Sequence, residues 1–348
     1  MRVSCALFLS SAFLSAQRTW VVDNTMATGA DFQDLPAACA AAAPGDRIHV
    51  RLGDGSSYQL PSPLEKPLTI VGLGPIKPVV VTAIGSNGHL RCGVNELMLF
   101  DNLEFRGGNT LGLTMLIVGS RGLIVFSRIT ARGYLYDGNQ YLEFNRVVLV
   151  DTTIEHGLLS AYLAKTKAWF LNCRTSTLSA NAPNLNGAIT GNFRSSIWIV
   201  GGGHVGGDGL DDCFPISLGY GGEPAVYALD GPLVVSGPAT LMGGRQSTPN
   251  PACPVGGGGG GGSGNEPRTS AVSSSCIPGI NGTLIDPMVT MVNPIPPNRI
   301  CPLNQRHEMP AVIPGPAARG QVQTIDTWGP QQSIVSVFAS FLTPYEPI

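Results

Sequence analysis

The stretch Leu97-Met98-Leu99-Phe100-Asp101-Asn102-Leu103-Glu104-Phe105-Arg106-Gly107 is restated twice further down the chain. Its echoes are Leu123-Ile124-Val125-Phe126-Ser127-Arg128-Ile129-Thr130-Ala131-Arg132-Gly133 and Val147-Val148-Leu149-Val150-Asp151-Thr152-Thr153-Ile154-Glu155-His156-Gly157. Each copy is a short apolar run, a polar step at Asp101, Ser127 or Asp151, a second short run, and a Gly. The copies start 26 and then 24 residues apart. That period is shorter than a βαβ unit, which takes about 30 residues or more, and falls where self-similarity signals a solenoid. Leu68 to Gly74 reads as an earlier copy, and looser later ones begin at Ala168, Ile197 and Leu233. Each copy is therefore expected to form one rung of a stacked coil of parallel strands.

Alternation directs Leu103 and Phe105, like Ile129 and Ala131, into the coil and leaves Glu104, Arg106, Thr130 and Arg132 outside. The third copy breaks this pattern by placing Thr153 and Glu155 at the inward positions. Either the register slips by one residue there or that rung carries a polar patch. The steps at Asp101, Ser127, Asp151 and Asn172 fall where the coil turns, so their side chains are expected to bond backbone between rungs.

Composition agrees with many short strands and tight corners: of 348 residues only 13% are charged, with 45 Gly and 28 Pro. A net charge of −2 gives no electrostatic footprint for nucleic acid or an anionic membrane surface. Arg2 followed by Ala6, Leu7, Phe8, Leu9, Ala12, Phe13 and Leu14 and ending in Ser15-Ala16 has the form of a secretory signal, too short to span a bilayer. The chain is thus expected to be exported, with residues 1–16 as signal peptide and no transmembrane segment.

Of the eight cysteines, Cys5 leaves with the signal. An exported chain permits disulfides, and at least one is expected among Cys213, Cys253, Cys276 and Cys301, which lie in Gly- and Pro-rich sequence. Cys173, inside an apolar strand pattern, is the expected free thiol. No Cys-x-x-Cys pair points to zinc.

Asp31 through Asp46 contains an Ala-rich run with an Asp at its start and a Pro44-Gly45 stop, the signature of a short helix with Phe32, Leu35, Cys39 and Ala42 on one face. A helix there covers the open end of the stack. Together with the strand Arg47 to Gly53, Tyr58, and Lys66-Pro67-Leu68-Thr69-Ile70-Val71-Gly72-Leu73-Gly74, it resembles the opening of secreted right-handed parallel β-helix proteins of the pectin-lyase-like group. The likeness covers roughly residues 20 to 244. It implies an all-β, right-handed parallel β-helix over 17–244 with an N-terminal capping helix. A Gly/Pro/Ser-rich loop region follows at 245–320 and a C-terminal strand segment at 321–348, where alternation returns at Ile334, Val335, Val337, Phe338, Phe341 and Leu342. One fold hosts many activities, so function must come from a site.

Three features compete for that role. Gly206-Gly207-Asp208-Gly209-Leu210-Asp211-Asp212-Cys213 fits a single copy of a calcium-binding repeat, with Asp208, Asp211 and Asp212 as metal ligands. Asp211-Asp212-Cys213 is also similar to the paired catalytic acids of polygalacturonases, but their Asn-Thr-Asp, Gly-His-Gly and Arg-Ile-Lys companions are missing here, and His204 precedes the acids. Finally, Arg106, Arg132 and His156 each stand just before the Gly of a copy. Stacked in register they form a basic ladder suited to the carboxylates of an acidic polysaccharide. Resemblance to pectate lyases makes Arg132 the candidate base. No nucleophile elbow or phosphate loop is present. The expectation is a non-catalytic carbohydrate-binding or cell-surface scaffold protein, with ligand contacts at Arg106, Arg132 and His156. The alternative is a polysaccharide lyase or glycoside hydrolase with Arg132, His156, Asp211 and Asp212 as catalytic candidates and calcium as the possible cofactor.

Overall fold

A computed structural model describes residues 17–82, 89–94, 96–107, 113–117, 120–138, 145–156, 161–177, 187–208, 222–229, 231–245, 248–249, 259–260, 271–274, 283–286 and 288–292. Residues 1–16, read as a signal, the acidic stretch with Asp211 and Asp212, the four late cysteines and residues 293–348 lie outside them.

The described chain is a parallel β-helix solenoid with three faces. The first face stacks Thr19–Val22, Arg47–Val50, Thr69–Gly72, Leu97–Asp101, Leu123–Ser127 and Asn145–Val150 in parallel. The second stacks Tyr58–Leu60, Val79–Thr82, Glu104–Arg106, Thr130–Arg132 and Thr153–His156. The long strands Thr166–Thr177, Ser196–Val205 and Leu233–Met242 run across the corner and supply both faces, which joins them into one sheet. The third face runs from His89–Leu90 through Leu113–Ile117, Tyr134–Gly138, Ala161–Ala164, Ile189–Asn192 and Val226–Ala228 to Val272–Ser274. Within the stretch read as loops, Val272–Ser274, Thr283–Ile285 and Thr290–Val292 add one sparser rung on top.

Alternation explains the core. Ile48, Ile70, Phe100, Phe126, Leu149, Phe170, Ile199 and Val235 are paired rung to rung and fully buried. Phe100 and Phe126 stack at 5.4 Å, and Phe105 meets Phe100 edge-on at 5.6 Å. Each such side chain contributes about 1.5–3 kcal/mol by leaving water.

The corner between the first and second faces needs one left-handed residue per rung: Asn102, Arg128, Asp151 and Asn172 have φ of 54°, 52°, 47° and 51°, with Gly201 and Gly237 next in line. Asn and Gly tolerate this region best. Asn102 Nδ2 donates to the carbonyls of Gly72 and Gly74, and Asn172 Nδ2 donates 2.6 Å to Asp151 Oδ1. The side-chain bonds to backbone come from Asn102, while Asp101, Asp151 and Asn172 meet side chains, and the turning column is Asn102-Arg128-Asp151-Asn172, one residue past Asp101 and Ser127 on the earlier rungs.

This shift resolves the third copy. Phe126 pairs with Leu149 and Ala131 with Ile154, a spacing of 23 residues, so the register slips by one from the alignment of the sequence copies. Thr152 and Ile154 point inward and Glu155 is exposed. There is no polar patch at Thr153 and Glu155.

The expected helix spans Leu35–Ala41, with Asp34 accepting from Ala37 N at 2.7 Å and the Lys66 ammonium donating to the carbonyls of Cys39, Ala40 and Ala42. Leu35, Ala38 and Cys39 are buried against the first strands. The outer edge of Thr19–Val22 is blocked as well, because Asp31 N and Phe32 N bond the Val21 carbonyl. Cys39, Cys92 and Cys173 are free and buried. Burial pushes the Cys173 thiol up to about 12, so it is inert, as its strand pattern suggested. Among the described residues no helix is long and apolar enough to cross a membrane.

Candidate functional site

The outer surface of the second face carries the charged residues singled out in the sequence. Arg106 and Arg132 are direct cross-strand partners, about 4.8 Å apart along the coil axis. Both bond the same carboxylate: Arg106 Nε lies 2.7 Å and Arg132 Nε 3.1 Å from Glu104 Oε1. Both guanidinium groups are half-exposed or more, whereas Glu104 is largely covered between them. Nε makes the contact in each case, and both side chains stay open to solvent, so the guanidinium groups remain accessible as donors. Lys77 Nζ donates 2.8 Å to Thr130 Oγ1 in the same patch, and Arg128 pairs with Asp101 at its corner. The Lys77 ammonium is held below its usual range by partial burial and by the neighbouring Arg128 charge, against the pull of Glu104 and Asp101. Four cations, Arg106, Arg132, Lys77 and Arg128, thus stand among three carboxylates, Glu104, Asp101 and, opposite Arg132, Glu155.

The ladder ends there. The one-residue slip sets Glu155, not His156, opposite Arg132, and His156 pairs with Thr177 of the next strand. His156 therefore does not belong to the arginine column, because the alignment that placed it there counted from the Gly instead of from the corner. Arg174 follows opposite Thr153. The basic surface is a pair with flanking charges, not a continuous track.

Of the residues assigned to calcium, Asp208 is exposed and its Oδ1 accepts 2.7 Å from Arg245 N, which ties it to a segment 37 residues further along the chain. Asp211 and Asp212 lie outside the described residues. Among the described residues no three His, Cys, Asp or Glu side chains are grouped to hold a metal.

No protein-family model, curated protein or solved structure matches this chain.

A second polar group lies inside the coil, where the sequence reading expected none. In the central inward column of the second face Tyr58, Val80, Phe105, Ala131 and Ile154 are followed by Thr175 and His204, and then Leu241. His204 is fully buried, its Nδ1 is 2.9 Å from Thr175 Oγ1, and it meets the Phe170 ring edge-on. Burial holds its imidazole down to about 4, hence neutral. Glu223 is buried at the end of the same face, anchored by its backbone to Gly207 and Gly244. Burial drives its carboxyl up to about 8, with the Thr177 hydroxyl pulling weakly the other way. The available signal was the polar pair Thr175 and His204 at inward positions of an alternating strand. Glu223 carries no such signal, because only the return of the chain after residue 221 sets it there.

Chemically, the outer patch can bind anions: rigidly placed guanidinium donors suit carboxylate or sulfate oxygens. Arg132, the candidate base, is engaged as a donor to Glu104, and the candidate acids Asp211 and Asp212 lie outside the described residues.

Proposed function

We propose that this chain is an exported β-helix of the pectin-lyase-like group that binds acidic polysaccharide on the outside of its second face, as a carbohydrate-binding or cell-surface scaffold that performs no chemistry on it. The observation that carries this reading is the pinning of Arg106 and Arg132 on one buried-side carboxylate, Glu104. Held this way, two stacked guanidinium groups have lost much of their side-chain freedom before a ligand arrives, which lowers the entropic cost of binding. Their exposed guanidinium groups repeat at the rung spacing, so one extended polymer lying along the coil axis meets both. Export is supported by Arg2 and the apolar run that follows it.

The test is titration of the mature protein with polygalacturonate, a sulfated polysaccharide and a neutral glucan, in low and high salt. The expected result is binding of an acidic polymer, weakened by salt, reduced about tenfold or more in Arg106→Ala/Arg132→Ala, and no binding of the glucan. Binding of neutral and acidic polymers alike, or full retention in the double variant, overturns it.

A further inference from the structure

The outer side of the first face is apolar where a solvated coil wall would be polar. Alternation turns Ala168, Phe170, Ile197 and Ile199 into the core, so Trp169 and Trp198 point out of the coil. They belong to one outward column, Leu99, Val125, Val148, Trp169, Trp198 and Val234, paired rung to rung. Val150, Leu171 and Val200 run beside it in the next outward column. A contiguous apolar patch of this kind marks a surface that something covers.

The patch is not evenly open. Leu97, at its early edge, is 42% exposed, whereas Trp198 and Val234 are 3% and 4% exposed. The Trp169 and Trp198 rings stack at 4.9 Å and 9°, and the indole nitrogens of both are sealed from solvent. Rung neighbours cover the sides of an outward side chain but not its outer end, so burial this deep requires chain laid over the wall. Among the described elements, Ser196–Val205 packs chiefly against Thr166–Thr177, Leu233–Met242 and Ile189–Asn192, all of them parts of the wall itself. The burial is complete in a single copy of the chain, so the cover belongs to this chain and not to a second copy.

Topology narrows which part. The long connections after Val205 and Met242 leave at the corner between the second and third faces, the one corner that the first face does not touch. Residues 275–282 are taken up in passing from Ser274 on the third face to Thr283 on the first. Residues 293–348 remain, and they follow Val292 on the last rung. Their most apolar run is Ile334-Val335-Ser336-Val337-Phe338-Ala339-Ser340-Phe341-Leu342, inside a stretch, 327–345, that carries no charge. Left in water, such a run is an aggregation hazard. The late rungs of the wall present no charged side chain in either column, which suits it. Val148 and Val234 are three rung steps apart, about 14 Å, and nine extended residues reach about 30 Å, so the run is long enough to cross them.

We propose that residues 334–342 dock on the outside of the first face, over Trp169, Trp198 and Val234, and close that wall to solvent and to other chains. Arg106 and Arg132 lie on a different face, so the docking neither needs nor blocks a polymer there, and it does not depend on the polysaccharide reading.

The experiment uses the mature full-length protein, with the photoreactive analogue benzoylphenylalanine in place of Phe338. Irradiation should join that position to residues 166–177 or 196–205 of the same chain, at a yield independent of protein concentration. In parallel, Phe338→Asp/Phe341→Asp should shift tryptophan emission to the red and raise its quenching by acrylamide. Both changes should vanish when Trp169→Phe/Trp198→Phe is the background, although Trp20 and Trp328 remain. Cross-links to a second copy or only to other faces would overturn the proposal. So would emission and quenching that stay at the parent's values in the Asp variant, or that change equally in the background lacking the two indoles.

Discussion

Arg106 and Arg132 share one oxygen of Glu104, at 2.7 and 3.1 Å, from neighbouring rungs of the second face. Without that carboxylate two guanidinium groups would face each other at strand spacing, an unfavourable like-charge pair. Glu104→Gln should therefore lower stability, but by no more than about 1 kcal/mol, since both arginines are solvated and screened. Denaturant unfolding at low and high salt checks this: the loss should shrink as salt rises.

The column of stacked rings holds the rungs together. Phe100 touches both Phe105 and Phe126 and is fully buried, so Phe100→Ala should destabilise the coil by about 3–5 kcal/mol. Thermal or urea unfolding measures it. A loss below about 1 kcal/mol would mean that the column is not packed as described.

Phe193 has a φ of 51° and an exposed side chain. A bulky residue in the left-handed region is strained by about 1–2 kcal/mol, and its ring buries little in return. Phe193→Asn should raise stability by up to about 1 kcal/mol, provided that the bond from its backbone N–H to Asn192 Oδ1 survives. A rise in the unfolding midpoint checks it.

Stability should peak in mildly acidic solution. Glu223 is raised from 4.5 to about 8 on folding, so its contribution is complete below pH 4.5 and is lost as pH rises through 8. His204 is lowered from 6.5 to about 4, so its contribution is complete above pH 6.5 and is lost as pH falls through 4. Among the described residues of the interior cluster these two are the titratable groups. Between pH 6.5 and 8 only Glu223 is still changing, and the fall there should flatten in Glu223→Gln. Unfolding midpoints across pH 4 to 9 for both proteins test the sign and the assignment.

The fold was legible because Met98 and Phe100, Ile124 and Phe126, and Leu103 and Phe105 alternate strictly, and alternation maps directly onto inside and outside. The exact stacking was less so. Matching Asp151 to Asp101 and Ser127 looks natural by residue type, yet what stacks is backbone conformation, and the left-handed corner falls on Asn102, Arg128 and Asp151, which share no chemistry. That one-residue difference separates His156 from the arginines and brings in Glu155. Glu104, the residue that fixes the arginine pair, reads in sequence as one more exposed charge. Glu223 was invisible for a different reason: its burial comes from contacts between segments far apart in the chain, after a stretch of sequence whose length hides the period.

The most direct test of binding without chemistry is incubation of the mature protein with a panel of acidic polysaccharides, with calcium and with chelator. Bound polymer, unsaturated-uronate absorbance and new reducing ends are followed together. The account predicts retained polymer with neither product signal, and retention that is lost in Arg106→Ala/Arg132→Ala. Calcium-dependent growth of the uronate absorbance, or of reducing ends, would contradict it and establish an enzyme.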